Sequence, residues 1–162
     1  MHANERLLDD GYIVEVLPPV ANAFAGTVTT APIRATLSGV VEFLVQTGVG
    51  LTGTTLITVE ACNDAVGTGA TAIPFQVNAQ PPGANTSDIW GGYSDNLATG
   101  YTTVAGSNKL ISIYVNPRTL PSGQEFVRLK MVEQVASPVA GGVVAILRAP
   151  RYQQVPNRTA LA

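Results

Sequence analysis

Residues 123–154 of the chain read GQEFVRLKMVEQVASPVAGGVVAILRAPRYQQ, and this stretch decides the fold class. In its first half Val127, Leu129 and Met131 alternate with polar residues, which is the pattern of a β-strand with one buried face. In its second half the run 143–147 is apolar on both faces, which predicts a central, covered strand. Because the connection 137–142 contains one proline and two glycines, we predict a tight turn that joins the two strands into a hairpin. The upstream strands are then expected to add to this hairpin.

The preceding sequence contains more short strands separated by turn residues. Segments 40–46, 55–62 and 109–115 each carry apolar residues at alternate positions along one face, and segment 73–77 contains Pro74, which favours a sheet edge. The sequence predicts roughly eight to ten strands at the spacing typical of sandwiches and barrels. We therefore expect an all-β fold, an antiparallel two-sheet sandwich of jelly-roll type.

The length of 162 residues fits one domain with additional segments at its ends. We predict an N-terminal arm or edge segment at 1–30, the sandwich at 31–154 and a tail at 155–162. The arm contains a short apolar strand that ends at Pro18 and Pro19, and such a strand packs either against its own domain or against a neighbouring subunit. The predicted interface residues of the arm are Tyr12, Ile13, Val14, Val16 and Leu17.

The composition points to a surface that other proteins cover. Charged residues make up 12% of the chain and hydrophobic residues 46%, which favours an oligomer or an assembled particle over a free monomer. The alternative is a monomer that uncharged polar residues keep soluble. The net charge is −2 and no basic cluster occurs, so we expect no nucleic-acid partner.

The single cysteine, Cys62, excludes an intramolecular disulfide and is expected to be a small buried side chain. The first residues do not have the pattern of a secretory signal, and no run of about 18 apolar residues predicts a membrane span. We therefore expect a protein that is made in the cytosol and has no membrane partner.

No catalytic constellation is visible. The only histidine is His2, so neither a serine nor a cysteine nucleophile has a plausible base, and zinc would lack ligands. No phosphate-binding glycine loop occurs either. Asp64 lies in a loop that could hold calcium, but a plain turn is the favoured interpretation. We predict a protein that is not an enzyme, with no catalytic residue, metal or cofactor.

Trp90 and Tyr93 flank two glycines and allow two interpretations. In the first, they form an aromatic platform for a sugar or a protein partner. In the second, which we favour because aromatic side chains mostly serve cores, Trp90 closes one end of the sandwich. Both residues are included among the predicted interface residues.

Six segments resemble small structural proteins of tailed bacteriophage particles. They are VVEFLVQTG (40–48), TVEACND (58–64), AIPF (72–75), GSNKL (106–110), FVRLK (126–130) and RAPRYQ (148–153). Together they span most of the chain from 40 to 153, and the arm before residue 30 lies outside them.

The resemblance is to head-associated minor capsid or decoration (cement) proteins, and it implies a virion protein on the capsid surface, assembled in the bacterial cytoplasm. It implies the major capsid protein and neighbouring virion subunits as partners. A homotrimer follows by analogy only. Two alternatives stay open: a connector, tail or fiber-base component, and a carbohydrate-binding module for host attachment.

Overall fold

The computed structural model describes residues 11–50, 52–80, 90–96 and 98–150, and within them the chain forms twelve β-strands. The strands are β1 Gly11–Val20, β2 Thr27–Thr29, β3 Ile33–Arg34, β4 Ser38–Thr47, β5 Thr54–Cys62, β6 Thr71–Ile73, β7 Phe75–Ala79, β8 Ser94–Asn96, β9 Tyr101–Thr102, β10 Lys109–Val115, β11 Phe126–Val135 and β12 Gly141–Pro150. One short 3-10 helix, Pro117–Thr119, follows β10, and the side chain of Asn116 caps it. No helix in the described ranges is long and apolar enough to cross a membrane.

The strands form two antiparallel sheets that pack face to face. The first sheet has the order β1-β12-β4-β10-β7-β8, and the second has the order β2-β11-β5-β6, with β3 also paired to β11 and β9 to β5. The predicted all-β antiparallel sandwich is therefore confirmed. The described strands outnumber the eight of a jelly roll, so the jelly-roll topology stays a prediction.

The core lies between the sheets and is built from the alternating positions that the sequence pattern indicates. Val41, Phe43 and Val45 of β4 are buried, and so are the inward residues of β5, β10 and β11. The predicted inward faces are thus confirmed, and Cys62 is a buried free thiol as expected. Burial of apolar surface at about 25 cal/mol per Å² is the main stabilising term of such a core.

The hairpin predicted at 123–154 is wrong. Strand β11 pairs with β5 and β2, whereas β12 pairs with β1 and β4, so the two strands belong to different sheets. Their buried faces oppose each other across the core, and the connection 136–140 crosses from one sheet to the other. Val139 in this connection is buried at the end of the core, and Gly141 and Gly142 already belong to β12. Pro138 therefore lies in a segment that crosses between the sheets and not in a tight turn.

The apolar strand predicted at 12–17 forms β1, the edge of the first sheet, and it pairs with β12 of the same chain. It continues through Pro18 and Pro19, where we expected it to end, with register shifts after Glu15 and after Leu17. Prolines and register irregularities are common at sheet edges because they discourage further strand pairing. Residues 1–10 and the predicted tail 155–162 lie outside the described residues.

Pro74 separates two strands where we predicted one. Strand β6 ends at Ile73 on the edge of the second sheet, and β7 begins at Phe75 in the first sheet between β10 and β8. The edge assignment is confirmed for β6, but β7 has a neighbour on each side. Proline lacks the N–H that ladder pairing needs, which makes this position suitable for a corner between sheets.

Candidate interaction surface

The solvent faces of the two sheets differ in chemistry. On the second sheet, Glu60 of β5 lies opposite Arg128 of β11, and Thr58 lies opposite Lys130. Arg128 and Lys130 both form ion pairs with Glu60, so charged and hydroxyl side chains occupy the centre of this face. That is the usual arrangement for a sheet with one solvated side.

The solvent face of the first sheet carries apolar residues on β1, β12, β4 and β10, interspersed with polar residues such as Glu15, Glu42 and Gln46. Register places Ile13 beside Ile146, and Val144 beside Leu44, on the side that points away from the core. Ile13 is 46% exposed and the others are partly exposed. We call this surface the apolar face and define it by Ile13, Leu44, Leu110, Val144 and Ile146. A sheet in water normally carries polar residues at such positions, so this face is a candidate contact surface.

A hollow of about 340 Å³ interrupts the apolar face where β12 begins. It lies over Gly141 and Gly142, with Leu17 and Pro19 of β1 on one side and Gln46 of β4 on the other. A Cβ atom on Gly142 would lie 3.1 Å from the carbonyl oxygen of Leu17, so the glycine permits the close approach of β1. The hollow gives the face a shape that a protruding apolar side chain could fill.

A polar cluster around Glu42 borders the apolar face. The Glu42 carboxylate accepts hydrogen bonds from the Ser112 hydroxyl at 2.5 Å and the Tyr93 hydroxyl at 3.0 Å, and Arg148 Nη2 lies 2.9 Å from its other oxygen. Burial raises the pKa of the Tyr93 hydroxyl, and its neighbour Glu42 acts in the same direction. Ser112, Tyr93 and Arg148 all bond to the Glu42 carboxylate, so the cluster fixes these side chains in place.

The structure places the five predicted interface residues of β1 in two groups. Val16 is buried, and Tyr12, Val14 and Leu17 pack against the core of their own chain, while only Ile13 lies on the apolar face. The sheet that this strand needed is therefore supplied by β12 of the same molecule. Ile13 is the residue of this group that remains available to a partner.

Trp90 and Tyr93 are exposed by 37% and 47%, respectively, and neither belongs to the core cluster. The favoured interpretation, in which Trp90 closes one end of the sandwich, is therefore wrong, because the indole lies at the surface. The Tyr93 ring meets Tyr114 edge to face with centroids 6.3 Å apart. Both predicted aromatic residues therefore lie near the surface. The ring that Tyr93 contacts is that of Tyr114, which was not among the predicted interface residues.

The loop at 63–69 forms a turn around Asp64. The Asp64 carboxylate accepts backbone N–H bonds from Val66 at 3.1 Å and Thr68 at 2.9 Å. The bond from Thr68 is the largest cause that lowers the pKa of Asp64. In the part of the chain that the structure describes, no group of three or more His, Cys, Asp or Glu residues could hold a metal ion.

Sequence reasoning missed most of the apolar face. Leu44 and Leu110 interrupt the polar side of two strands that otherwise alternate regularly, and this irregularity is the signal that could have identified the face. Val144 and Ile146 were interpreted as covered residues, because a run that is apolar on both faces predicts burial on both faces. Among the residues that the structure describes, only one of these faces is covered, and Val144 and Ile146 are partly exposed on the other.

Comparison with known proteins finds no matching family model, no matching curated protein and no matching solved structure.

Proposed function

We propose that the chain is a non-enzymatic structural protein of a tailed-phage virion, which binds the assembled capsid and stabilises it as a decoration or cement protein. The observation that carries this proposal is the apolar face on the first sheet, since a monomer in water gains nothing from leaving such a surface uncovered. The resemblance of six segments to phage head proteins supports the same conclusion.

The mechanism follows from where such a protein binds. A ligand whose binding site spans neighbouring shell subunits binds the assembled lattice and not the free subunits. Binding to one state only stabilises that state by mass action, so occupancy of the lattice resists its opening. A decoration protein needs no chemical step. The Glu42 carboxylate is already bonded to Tyr93, Ser112 and Arg148, which is consistent with a structural role.

We also propose that the apolar face mediates self-association, with a homotrimer as the proposed state. Within the face, Ile13 and Ile146 lie in one cross-strand row that continues to Glu42, and Val144 and Leu44 lie in the next row, which begins at Glu15. A partner therefore meets apolar side chains flanked by two carboxylates. Either a sister subunit or the capsid protein can occupy this surface. Light scattering of the purified chain at several concentrations separates the two, because only self-association changes its mass.

The experiment uses heads purified from a phage whose gene for this protein has been deleted. We expect the purified chain to cosediment with these heads, to saturate at a fixed copy number and to raise the temperature at which DNA is released. Val144→Asp should weaken binding by about tenfold or more, because a carboxylate would be desolvated at the contact. Val66→Asp makes the same change in the exposed turn at 63–69, outside the lining of the hollow, and should bind normally.

Circular dichroism and urea unfolding establish that both variants are folded. A chain that is absent from purified virions and does not bind the heads would overturn the proposal. Labelling of the tail or the connector by an antibody against the chain would replace it with the alternative virion position.

A further inference from the structure

A groove of about 450 Å³ lies at the other edge of the first sheet, away from β1. It is bounded by strands β7, β8 and β10 and by the 3-10 helix. Its volume falls within the range of about 300–1,000 Å³ that is typical of small-molecule sites. Its lining residues are Pro74, Phe75, Gln76, Asp95, Tyr114, Asn116 and Thr119.

Three of the lining side chains belong to one cross-strand row. Tyr114 of β10 pairs with Gln76 of β7, and Gln76 pairs with Asp95 of β8. The row is therefore placed by backbone pairing on regular strands, which gives it a defined geometry. Tyr93 meets Tyr114 edge to face, and its own hydroxyl is bonded to Glu42, so the position of the Tyr114 ring is supported from outside the groove.

The polar atoms of the groove are partly used and partly available. Gln76 Nε2 donates to Asp95 Oδ1 at 2.8 Å, which leaves Gln76 Oε1 and Asp95 Oδ2 without a partner among the described residues. Asn116 Oδ1 accepts from the backbone N–H of Arg118 at 3.0 Å, so its amide N–H groups can still donate. The Thr119 hydroxyl donates to the Asn116 carbonyl and can still accept. The groove thus offers three acceptors and one donor group beside an aromatic ring.

We propose that this groove is a binding site for a neutral sugar. Vicinal hydroxyl groups donate and accept at once, which matches a carboxylate oxygen, an amide oxygen and an amide N–H at neighbouring positions. The apolar C–H face of a pyranose ring packs on an aromatic side chain, here Tyr114. Because no lysine, arginine or histidine is among the described lining residues and Asp95 carries a negative charge, the site disfavours acidic sugars.

The proposal does not rest on binding to a capsid, and it moves the sugar contact from Trp90 to Tyr114. Trp90 is not among the described residues that line the groove. A free monosaccharide and the terminal unit of a polysaccharide share the chemistry that the groove recognises, so the experiment includes both.

The test is an NMR titration of the ¹⁵N-labelled chain with methyl glycosides of glucose, galactose, mannose and N-acetylglucosamine. We expect at least one glycoside to shift the amides of Gln76, Asp95, Tyr114 and Thr119, with a dissociation constant on the order of millimolar. Methyl glucuronide, with a carboxylate, should bind more weakly. A glycan array then shows whether the same sugar is also bound as the terminal unit of an immobilised polysaccharide.

Two variants and two controls decide the site. Asp95→Asn and Tyr114→Ala should each weaken the binding by about tenfold. Asp64→Asn makes the same carboxylate-to-amide change in the turn at 63–69, which is not part of the described lining of the groove. Trp90→Ala removes the other aromatic candidate, and both controls should bind normally. Asp95→Asn is nearly isosteric, so it remains informative even if Tyr114→Ala does not fold.

Three results would overturn the proposal. The first is the absence of saturable shifts with every neutral glycoside. The second is binding that Trp90→Ala abolishes while Asp95→Asn leaves it intact. The third is stronger binding of the glucuronide than of the neutral sugars.

Discussion

Arg128 holds the Glu60 carboxylate across the β5–β11 pair, with its Nε and Nη2 atoms each 2.8 Å from Oε2. The side chains are only 18% and 11% exposed, respectively, so water screens this pair weakly. Lys130 lies 3.6 Å from the other carboxylate oxygen, and its side chain is more exposed. The charged centre of the second sheet is therefore a partly buried network, in which Arg128 is the main partner of Glu60.

Replacing Arg128 with methionine should lower the free energy of unfolding by about 2–3 kcal/mol, because it leaves a partly buried carboxylate without its main partner. Urea denaturation measures this loss. Lys130→Met is the matched control and should cost less than about 1 kcal/mol, since its contact with Glu60 is longer and more solvated. Equal losses in the two variants would contradict the dominant role of Arg128.

Gly67 and Gly123 provide a second matched comparison, because both have positive φ, at 85° and 82°. A Cβ atom on Gly67 would collide with Arg128 Nη1, whereas nothing lies within 4 Å of a Cβ on Gly123. Alanine at Gly123 should therefore cost only the left-handed backbone penalty of about 1–2 kcal/mol. Alanine at Gly67 should cost more, since Glu60 holds the guanidinium in place, and urea denaturation of both variants measures the difference.

The additional loss of stability for alanine at Gly67, relative to alanine at Gly123, should depend on Arg128. In the Arg128→Met background, alanine at Gly67 and alanine at Gly123 should destabilise the protein to the same extent, because the colliding atom is gone. A double-mutant cycle gives this coupling directly. A gap that persists without Arg128 would show that the loop itself, and not the guanidinium, resists the substitution.

Lys109 is expected to make stability depend on pH. The residue is 6% exposed at one end of the core, and burial lowers the pKa of its amino group. Because the unfolded chain binds this proton more tightly, the buried amino group lowers the free energy of unfolding at neutral pH. This destabilisation disappears as pH rises through the lowered pKa towards the ordinary lysine value. Lys109→Met should therefore stabilise the protein at neutral pH, and urea denaturation at several pH values should show this gain shrinking under alkaline conditions.

Tyr101 and Cys62 also titrate in the alkaline range, since burial raises the pKa of both. Their raised pKa values favour loss of stability as pH rises, opposite in sign to the effect of Lys109. Because the wild type and Lys109→Met share both groups, the difference between the two proteins isolates the lysine. A gain that is constant with pH would contradict a protonated, buried amine as its cause.

The hydrogen bonds to Glu42 predict that two substitutions lower the free energy of unfolding by different amounts. Ser112 is almost fully buried and donates to Glu42, so Ser112→Ala should cost about 1–2 kcal/mol. Tyr93→Phe removes a more exposed hydroxyl and should cost less than about 1 kcal/mol. Urea denaturation of both variants and of the double variant measures the coupling. A larger loss of unfolding free energy for Tyr93→Phe than for Ser112→Ala would contradict this order.

The sequence pattern predicted which faces of the strands are buried but not which strands are neighbours. Alternation in β4, β5, β10 and β11 places their apolar residues inward whatever strand lies beside them, so these faces were predicted correctly. Pairing is a relation between distant segments and leaves no comparable local mark. The segment with Pro138 therefore resembled a hairpin turn, although it crosses between the sheets.

The candidate surface was predicted only in part for a related reason. Ile13 was identified because it lies in an apolar segment outside the main domain pattern, and it does lie on the apolar face. Leu44 and Val144 become neighbours only through the β4–β12 register, which the sequence does not encode locally. The groove between β7, β8 and β10 likewise depends on the pairing of Gln76 with Tyr114 and Asp95.

The pairing of β1 with β12 has a consequence for synthesis on the ribosome. The first described strand can pair only after the last one has been made, since β12 is its one neighbour among the described strands of the first sheet. Folding dominated by such distant pairings is slow, and unpaired strands meanwhile expose apolar surface to other nascent chains. A cell that makes many copies at once is therefore expected to need chaperones that shield the incomplete sandwich, and the yield of soluble protein should respond to chaperone level more than to the strength of any single core contact.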